Sequence, residues 1–307
     1  MHPVRLALSK LSMVVLVALL AVEFPVPALS QNAAPASPTT RGGFYASSSG
    51  GASYNTSSGW SSDLNSAVGY DVSEHFGVEA GMPFYALTST TRIDNAGQQV
   101  QRSHYNSLGD AYLTFNGGKD FDAVNYSATL TATAPTGDRE AGISTGRATF
   151  NLNNRIEHDF NRVTPFVEGS IGNSLSRTRR YHRAFTTLGL VSELQGGATV
   201  DLSKRFSLEG SVYDDVGFGN QKVYSHRVGK GSAGGTKTGK NRPFDLAYLT
   251  QGSASLAADH GLAAVFSVHP TSRVEAELAY NRSLHYSTDT ISFTVAYRWG
   301  RTQRAQR

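Results

Sequence analysis

Apolar and polar residues alternate with a period of two along much of this chain. In the stretch VNYSATLTATA, residues 124–134, every second residue is apolar and the residues between are Ser, Thr or Asn. Because successive side chains of a β-strand point to opposite faces, this pattern predicts a strand with one apolar and one polar face. A half-buried strand of a soluble sheet would show it, and so would the wall of a membrane barrel, with lipid outside and water inside.

The same alternation recurs in about twelve segments, if residues 42–50 are counted as a weak first strand. The predicted strands are about 9 to 15 residues long, whereas strands of soluble sheets usually have about 5 to 6. Strands of that length can cross a bilayer at a tilt. The pattern therefore favours an all-β transmembrane antiparallel up-and-down barrel of about 12 strands.

The connections between these segments alternate between short and long. Tight turns are predicted at residues 73–75, 119–122, 159–162, 203–205 and 270–273, and long links at 86–104, 135–146, 176–186 and 217–246. A short link at 285–289 interrupts the alternation. Outer-membrane barrels have short periplasmic turns and long extracellular loops, and a soluble sandwich has no reason to keep this asymmetry.

Four of the tight turns contain a phenylalanine or are directly followed by one, in a similar local sequence. The segments are VSEHFGVE, GKDFDAVN, EHDFNRVT and LSKRFSLE, which contain Phe76, Phe121, Phe160 and Phe206. Aromatic rings at this level of a barrel form a girdle at the membrane interface. The alternative is that aromatic residues simply pack beside turns.

The N-terminal segment has the features of a Sec signal peptide. Arg5 and Lys10 precede an apolar run that ends at Val22, and Ala28-Leu29-Ser30 offers a cleavage site with small residues. The apolar run is too short for the roughly 20 residues of a membrane-spanning helix, which is the alternative. We expect a signal peptide at 1–30, a flexible lead at 31–40, an outer-membrane barrel at 41–300 and a basic tail at 301–307.

Composition agrees with an exported barrel. Of its residues, 39% are hydrophobic and 17% are charged. This composition is too apolar for a disordered chain and too polar for a helical membrane protein. It contains no Cys, which excludes a lipoprotein anchor, disulfides and thiolate metal sites. We expect export to the bacterial outer membrane of a Gram-negative cell, with outer-membrane lipid, lipopolysaccharide and the barrel assembly machinery as partners.

The strand at 124–134 ends in Pro-Thr-Gly-Asp at residues 135–138. Proline removes a ladder donor, and Gly and Asp favour a turn, so the segment predicts a strand end. A phosphate-binding loop is the alternative reading of Gly-Asp-Arg, but no helix follows to supply an N-terminus.

These residues also resemble a known family. The run ATLTATAPTGDREAGISTGRATFNLNNRIEHDFNRVTPFVEGSIGN is similar to the MetA-pathway phenol-degradation outer-membrane proteins, a transporter-like barrel group. The matching elements are Pro-Thr-Gly-Asp at 135–138, the Gly/Thr segment at 144–149 and Thr-Pro-Phe at 164–166, and the resemblance extends over residues 105–300. It implies transport of small, aromatic or hydrophobic compounds. The chain departs from the pattern where GRTQRAQR follows Trp299, because barrels handed to the assembly machinery usually stop on the aromatic residue.

Strand parity assigns a set of charged residues to the lumen. The predicted lumen-lining residues are Glu79, Arg147, Arg155, Glu157, Glu168, Glu193, Glu209, Glu275, Glu277 and Arg298. Acids outnumber bases by seven to three in this set, so a conducting lumen would prefer cations. Two interpretations stay open, because these charges either line a narrow channel or pair into a plug.

The predicted extracellular loops are basic. Their cationic residues are Arg177, Arg179, Arg180, Arg183, Lys222, Arg227, Lys230, Lys237 and Lys240. These side chains either meet the phosphates of an anionic outer leaflet or collect substrate at the mouth of the barrel. Nucleic acid is not expected, because aromatic residues are not interleaved with the cations.

An enzymatic function is not expected from the sequence. Asp214 and Asp215 lie near a strand end but point to opposite faces, and no Ser lies in a Gly-x-Ser-x-Gly elbow. The nine His residues have no metal-site spacing, so we expect no cofactor and no metal. The favoured function is passive uptake or efflux of small solutes. A structural or adhesive surface barrel is the alternative, and an outer-membrane hydrolase is the less favoured one.

Overall fold

The computed structural model describes residues 42–56, 59–91, 101–121, 124–137, 144, 146–174, 185–225 and 248–300. The signal peptide, lead and basic tail predicted above lie outside these residues. Fourteen strands and one short 3₁₀ helix are present: β1 (Gly43–Asn55), β2 (Gly59–Asp71), β3 (Phe76–Thr91), β4 (Gln101–Leu108), β5 (Ala111–Asp120), β6 (Asn125–Ala134), β7 (Thr149–Glu157), β8 (Val163–Gly172), β9 (Phe185–Ser203), β10 (Phe206–Ser225), β11 (Tyr248–Gly252), η1 (Ala254–Ala257), β12 (Asp259–Thr271), β13 (Val274–Ser283) and β14 (Thr288–Gly300). In this part of the chain, no helix has the length and apolar character needed to span a membrane.

The strands form one closed antiparallel barrel with twelve wall positions, as the alternation predicts. Neighbouring strands pair in chain order, and β14 pairs with β1 to close the wall. β4 and β5 share one wall position, because each pairs with a different part of β3. β11 and β12 share another in the same way along β10.

The outer face of the wall is apolar and the inner face is polar. Exposed residues include Leu64, Leu130, Ile156, Leu190 and Val212, which alternate with inward-facing neighbours. Buried polar residues of the inner face include Ser53, Asn55, Thr114, Thr199, Ser207, Asn281, Thr290 and Ser292. A soluble barrel has the opposite arrangement, because its apolar side chains fill the centre.

The two ends of the barrel differ in their connections. At one end, here called the tight-turn rim, short turns join β2 to β3, β5 to β6, β7 to β8, β9 to β10 and β12 to β13, as predicted. The four phenylalanines beside these turns are all exposed. At the opposite end, the long-loop rim, β1 to β2 and β13 to β14 are also short. The short link between β13 and β14 was predicted from the sequence, and the short link between β1 and β2 was not.

Three predicted long links are partly strand, the shortest overlap being at 176–186, where β9 begins at Phe185. β3 continues to Thr91 and β4 begins at Gln101, within the predicted 86–104 link. β10 continues to Ser225, within the predicted 217–246 link, so Lys222 lies in a strand and not in a loop. These extensions pair with neighbouring strands, and the pairing of β10 with β9 shifts register between Phe218 and Lys222, which interrupts the period of two. Alternation therefore gives no signal for them.

The Pro-Thr-Gly segment after β6 forms hydrogen bonds with the chain at the break between β4 and β5. The Thr136 hydroxyl accepts a hydrogen bond from the Ala111 backbone N–H at 2.8 Å and donates one to the Gly109 carbonyl at 3.2 Å. The Gly137 N–H donates to the Asp110 carboxylate at 3.0 Å. A Cβ on Gly137 would lie 2.9 Å from the Gly109 carbonyl carbon, so only glycine fits this close approach.

Candidate functional site: the inner wall of the barrel

Small polar side chains bond to one another across the strands of the inner wall. The Ser53 and Ser61 hydroxyls lie 2.7 Å apart, and the Asn55 amide donates to the Thr290 hydroxyl at 2.7 Å. Further pairs join Thr114 to Thr131, Thr129 to Asn116, and Thr133 to Thr149. These bonds satisfy polar groups that would otherwise be costly to bury. Among the described residues, the one cluster of fully buried apolar side chains is Val191 with Ala257, so no continuous apolar core fills the barrel there.

A group of charged side chains surrounds Arg155 on this wall, and we call it the Arg155 cluster (Arg155, Glu157, Glu168 and Glu209). The guanidinium donates from Nε to Glu157 at 2.9 Å, from Nη1 to Glu168 at 3.2 Å and from Nη2 to Glu209 at 3.3 Å. Side-chain exposures range from 5% to 17%, so the group is largely shielded from water. One cation faces three carboxylates, which leaves a formal charge of about −2 if all are ionised.

Alternation and register explain how the Arg155 cluster assembles. Arg155 and Glu157 are two apart in β7 and therefore share a face, and Arg155 is directly opposite Glu168 of β8. Glu209 belongs to β10, with β8 and β9 between it and β7. The Arg155 side chain therefore spans the inner surface of two strands, and its Cζ lies 3.6 Å from the centre of the Phe166 ring.

Neighbouring polar groups complete the bonding of the carboxylates. The Asn153 amide donates to Glu168 Oε1 at 2.6 Å, and the Thr199 hydroxyl donates to Glu209 Oε2 at 3.0 Å. These hydrogen bonds add neutral donors to the guanidinium contacts of the two carboxylates. The cluster is therefore a bonded network that links four neighbouring strands, β7 to β10.

A second charged group lies on the opposite side of the barrel, near the tight-turn rim. Arg298 of β14 donates to Asp71 of β2 at 3.1 Å, and its Cζ lies 3.7 Å from the centre of the Tyr45 ring of β1. Nearby, the Tyr112 hydroxyl donates to Glu79 at 3.4 Å. In both groups a guanidinium combines an aromatic face with carboxylate partners, and only the site of Arg155 is shielded, because the Arg298 side chain is 38% exposed.

Three carboxylates form a row on adjacent strands closer to the long-loop rim. Asp215 of β10 is directly opposite Glu193 of β9 on one side and Asp259 of β12 on the other, and all three are buried. Asp259 accepts hydrogen bonds from the Tyr213 hydroxyl at 3.2 Å and the Ser283 hydroxyl at 2.6 Å. Of these three residues, only Glu193 was predicted from the sequence to line the lumen. The alternation of residues 212–218, with Val212, Val216 and Phe218 outward, would have revealed Asp215.

The other predicted site residues fall into three groups. Glu275 and Glu277 lie on β13 just after a tight turn, and Glu277 accepts a hydrogen bond from Ser267 at 3.4 Å. Arg147 lies before β7 begins, is exposed, and donates to the Asn173 carbonyl at 3.0 Å, so it is not at a mid-strand lumen position. Except for Lys222, the predicted basic loop residues lie outside the described residues: Arg177, Arg179, Arg180, Arg183, Arg227, Lys230, Lys237 and Lys240.

Within the described ranges, no group of three His, Asp or Glu side chains is arranged so that it could hold a metal ion. What this part of the inner wall offers is a polar surface on which carboxylates outnumber guanidinium groups. Such a surface can attract and orient cations, and it provides hydrogen-bonding partners for polar solutes.

Comparison with solved structures places this architecture among outer-membrane barrels. The structure is similar to the COG4313 outer membrane channel from Pseudomonas putida F1, with a TM-score of 0.54 and 10% sequence identity over 88% of this chain and 100% of that chain. The KdgM porin in complex with disordered oligogalacturonate gives 0.42 and 7% identity over 83% and 99% of the two chains. The Pseudomonas putida toluene transporter TodX gives 0.40 and 7% over 89% and 94%.

No protein-family model and no curated protein matches the sequence. The resemblance to the phenol-degradation family therefore stays a prediction. At 10% identity, the similarity to the Pseudomonas putida channel establishes a shared barrel fold and leaves the solute open.

Proposed function

We propose that this protein is an outer-membrane channel for the passive diffusion of small solutes, with a mild preference for cations. The observation that carries the proposal is the inverted polarity of the barrel. An apolar band faces outward, and most of the buried side chains on the described inner wall are Ser, Thr, Asn or carboxylates, with fewer apolar ones such as Val191 and Val265. A bilayer and an aqueous lumen are the surroundings that such a wall suits.

The cation preference follows from the charge of the inner wall. Carboxylates in a narrow bore with low-dielectric walls raise the local concentration of positive counter-ions. Glu168 and Glu193 lie near the middle of β8 and β9, where their charge acts furthest from bulk water. Glu275 and Glu277 lie next to a tight turn and should contribute less.

Planar-bilayer recording tests this proposal directly. The double variant Glu168→Gln/Glu193→Gln lacks both acids. In a KCl gradient, its reversal potential should shift toward the value expected for a chloride-selective pore. Asp214→Asn provides the matched control, because Asp214 is exposed on the outer face of β10 and should leave the reversal potential unchanged. Heat-modified mobility on gels checks that each variant has assembled.

Two outcomes would count against the channel. If the unmodified protein shows neither conductance nor solute uptake at any salt concentration, the lumen is plugged and the structural or adhesive function takes precedence. If conductance is present but the double variant and the control have the same reversal potential, the carboxylates do not set ion preference.

The proposal also covers the class of solute and the location of the protein in the cell. The family resemblance favours small aromatic or hydrophobic solutes, whereas the polar wall favours small polar ones. Liposome swelling with a neutral aromatic and a polar solute of equal size distinguishes these classes. We further propose Sec export to the outer membrane, insertion by the barrel assembly machinery, and contact of the long-loop rim with lipopolysaccharide.

A further inference from the structure

The wall of the barrel is interrupted beside β10, at a point near the long-loop rim. β10 pairs with β12 from Phe206 to Asp215 and with β11 from Gln221 to Ser225. Within the described residues, 216–220 have no partner on that side. The chain that should pair there is instead residues 253–258, which contain η1, and we call this segment the inner shelf.

The inner shelf lies inside the barrel. Ala257 packs against Val191 of β9, and both side chains are fully buried. Val191 faces inward, because its neighbour Leu190 is 40% exposed on the outer face. β9 and the inner shelf lie on opposite sides of β10, so Ala257 can reach Val191 only across the inner face of β10.

Gly217 of β10 provides the space for this crossing. A Cβ at Gly217 would lie 2.5 Å from the Ala254 carbonyl oxygen and 3.2 Å from the Ala257 Cβ, so a larger residue would displace the inner shelf. In a 3₁₀ helix, side chains three apart lie on one side, which directs both Ala254 and Ala257 toward β10. The remaining side of η1 carries Ser255, which is exposed.

A second contact, from the connection between β13 and β14, also holds the inner shelf in place. The Tyr286 hydroxyl, in the short connection between β13 and β14, donates a hydrogen bond to the Leu256 carbonyl at 2.9 Å. Asp259, a member of the carboxylate row, follows the inner shelf directly in the sequence. The inner shelf is thus held between β10 and the β13–β14 connection, immediately beside that row.

We propose that the inner shelf is the size-limiting constriction of the channel, with Ser255 as the residue that passing solutes meet. The inference rests on the proposed channel function. Barrels with about 8 strands are filled by their side chains, whereas wider ones leave an interior space, so an inserted backbone segment in a twelve-stranded wall reduces that space. Ion preference and size limit then depend on separate features, the carboxylates Glu168 and Glu193 on the wall and the inner shelf.

Cysteine labelling tests the inner shelf without background, because the chain contains no Cys. The conductance of Ser255→Cys before labelling is its own reference, and a bulky methanethiosulfonate reagent should reduce that single-channel conductance by at least about half. Thr129→Cys is the matched control, on the inner wall of β6 and away from the inner shelf. The same reagent there should reduce conductance much less.

A second variant tests the same inference in the opposite direction. Tyr286→Phe removes the hydrogen bond to Leu256 and should raise the largest sugar that enters in liposome swelling. Equal loss of conductance after labelling at residues 255 and 129, or no loss at 255, would overturn the size-limiting role while leaving the channel proposal intact. Absence of conductance in the unmodified protein would overturn both.

Discussion

At the residue scale, Arg155 shows what alternation can and cannot predict. Parity alone assigned Arg155, Glu157, Glu168 and Glu209 to one face, because the side-chain period of a strand is two. Arg155 and Glu209 are 54 residues apart in the sequence, and their contact depends on the order of four strands. No local sequence pattern encodes that order. Contacts between these side chains could therefore be found only in the folded barrel.

Removing the guanidinium should destabilise the barrel. Arg155→Met keeps the side-chain length but leaves three carboxylates without their shared cation. Breaking a fully buried pair costs about 3–5 kcal/mol, and we expect about 1–3 kcal/mol here because the lumen gives water partial access. Urea unfolding of the refolded protein in detergent measures the loss.

A surface ion pair supplies the control for Arg155. Arg282 binds Asp289 at 2.6 Å, with side chains 36% and 33% exposed, so Arg282→Met should cost no more than about 1 kcal/mol. Adding Glu209→Gln to Arg155→Met should recover part of the lost stability, because one repelling charge is removed. Equal losses for Arg155→Met and Arg282→Met would show that the Arg155 cluster does not behave as a shielded network.

At the element scale, the strands that lie within the apolar band could be predicted and those beyond it could not. β6 alternates without a break, and β7 departs from alternation only at Asn154, which lies on the outer face and bonds to Tyr126. The outer parts of β3 and β10, together with β11 and η1, are held by backbone pairing or by packing on Gly217. Their sequences therefore lack the period that identifies a strand.

The Pro-Thr-Gly segment makes an element-scale prediction. Thr136→Val removes two hydrogen bonds to the break between β4 and β5 and should lower the free energy of unfolding by about 1–3 kcal/mol. Thr131→Val is the comparison, because Thr131 makes one side-chain bond, to Thr114 at 3.1 Å, and should cost less. If the two variants unfold at the same urea concentration, the segment is an ordinary strand end.

At the scale of the whole molecule, closure of the wall brings residues from distant parts of the chain together. β1 and β14 pair from Tyr45 with Gly300 to Asn55 with Thr290, which places Arg298 over Tyr45. Strand number and antiparallel order could be predicted from alternation and connection lengths. The inner shelf could not, because its insertion depends on an interruption of pairing between β10 and its neighbours.

Which face of the closed barrel meets lipid can be measured with adjacent residues of one strand. Leu130 and Thr129 are neighbours in β6, yet Leu130 is exposed on the outer face and Thr129 bonds to Asn116 on the inner face. A spin label at Leu130 in lipid bilayers should be relaxed mainly by oxygen, which concentrates in the bilayer, and a label at Thr129 by a water-soluble nickel quencher. Labels at Ile156 and Leu190 should behave like the label at Leu130, because their side chains share its outward direction. Greater access of the aqueous quencher to the three outward sites than to Thr129 would mean that the apolar band does not face lipid, and the membrane-barrel interpretation would be wrong.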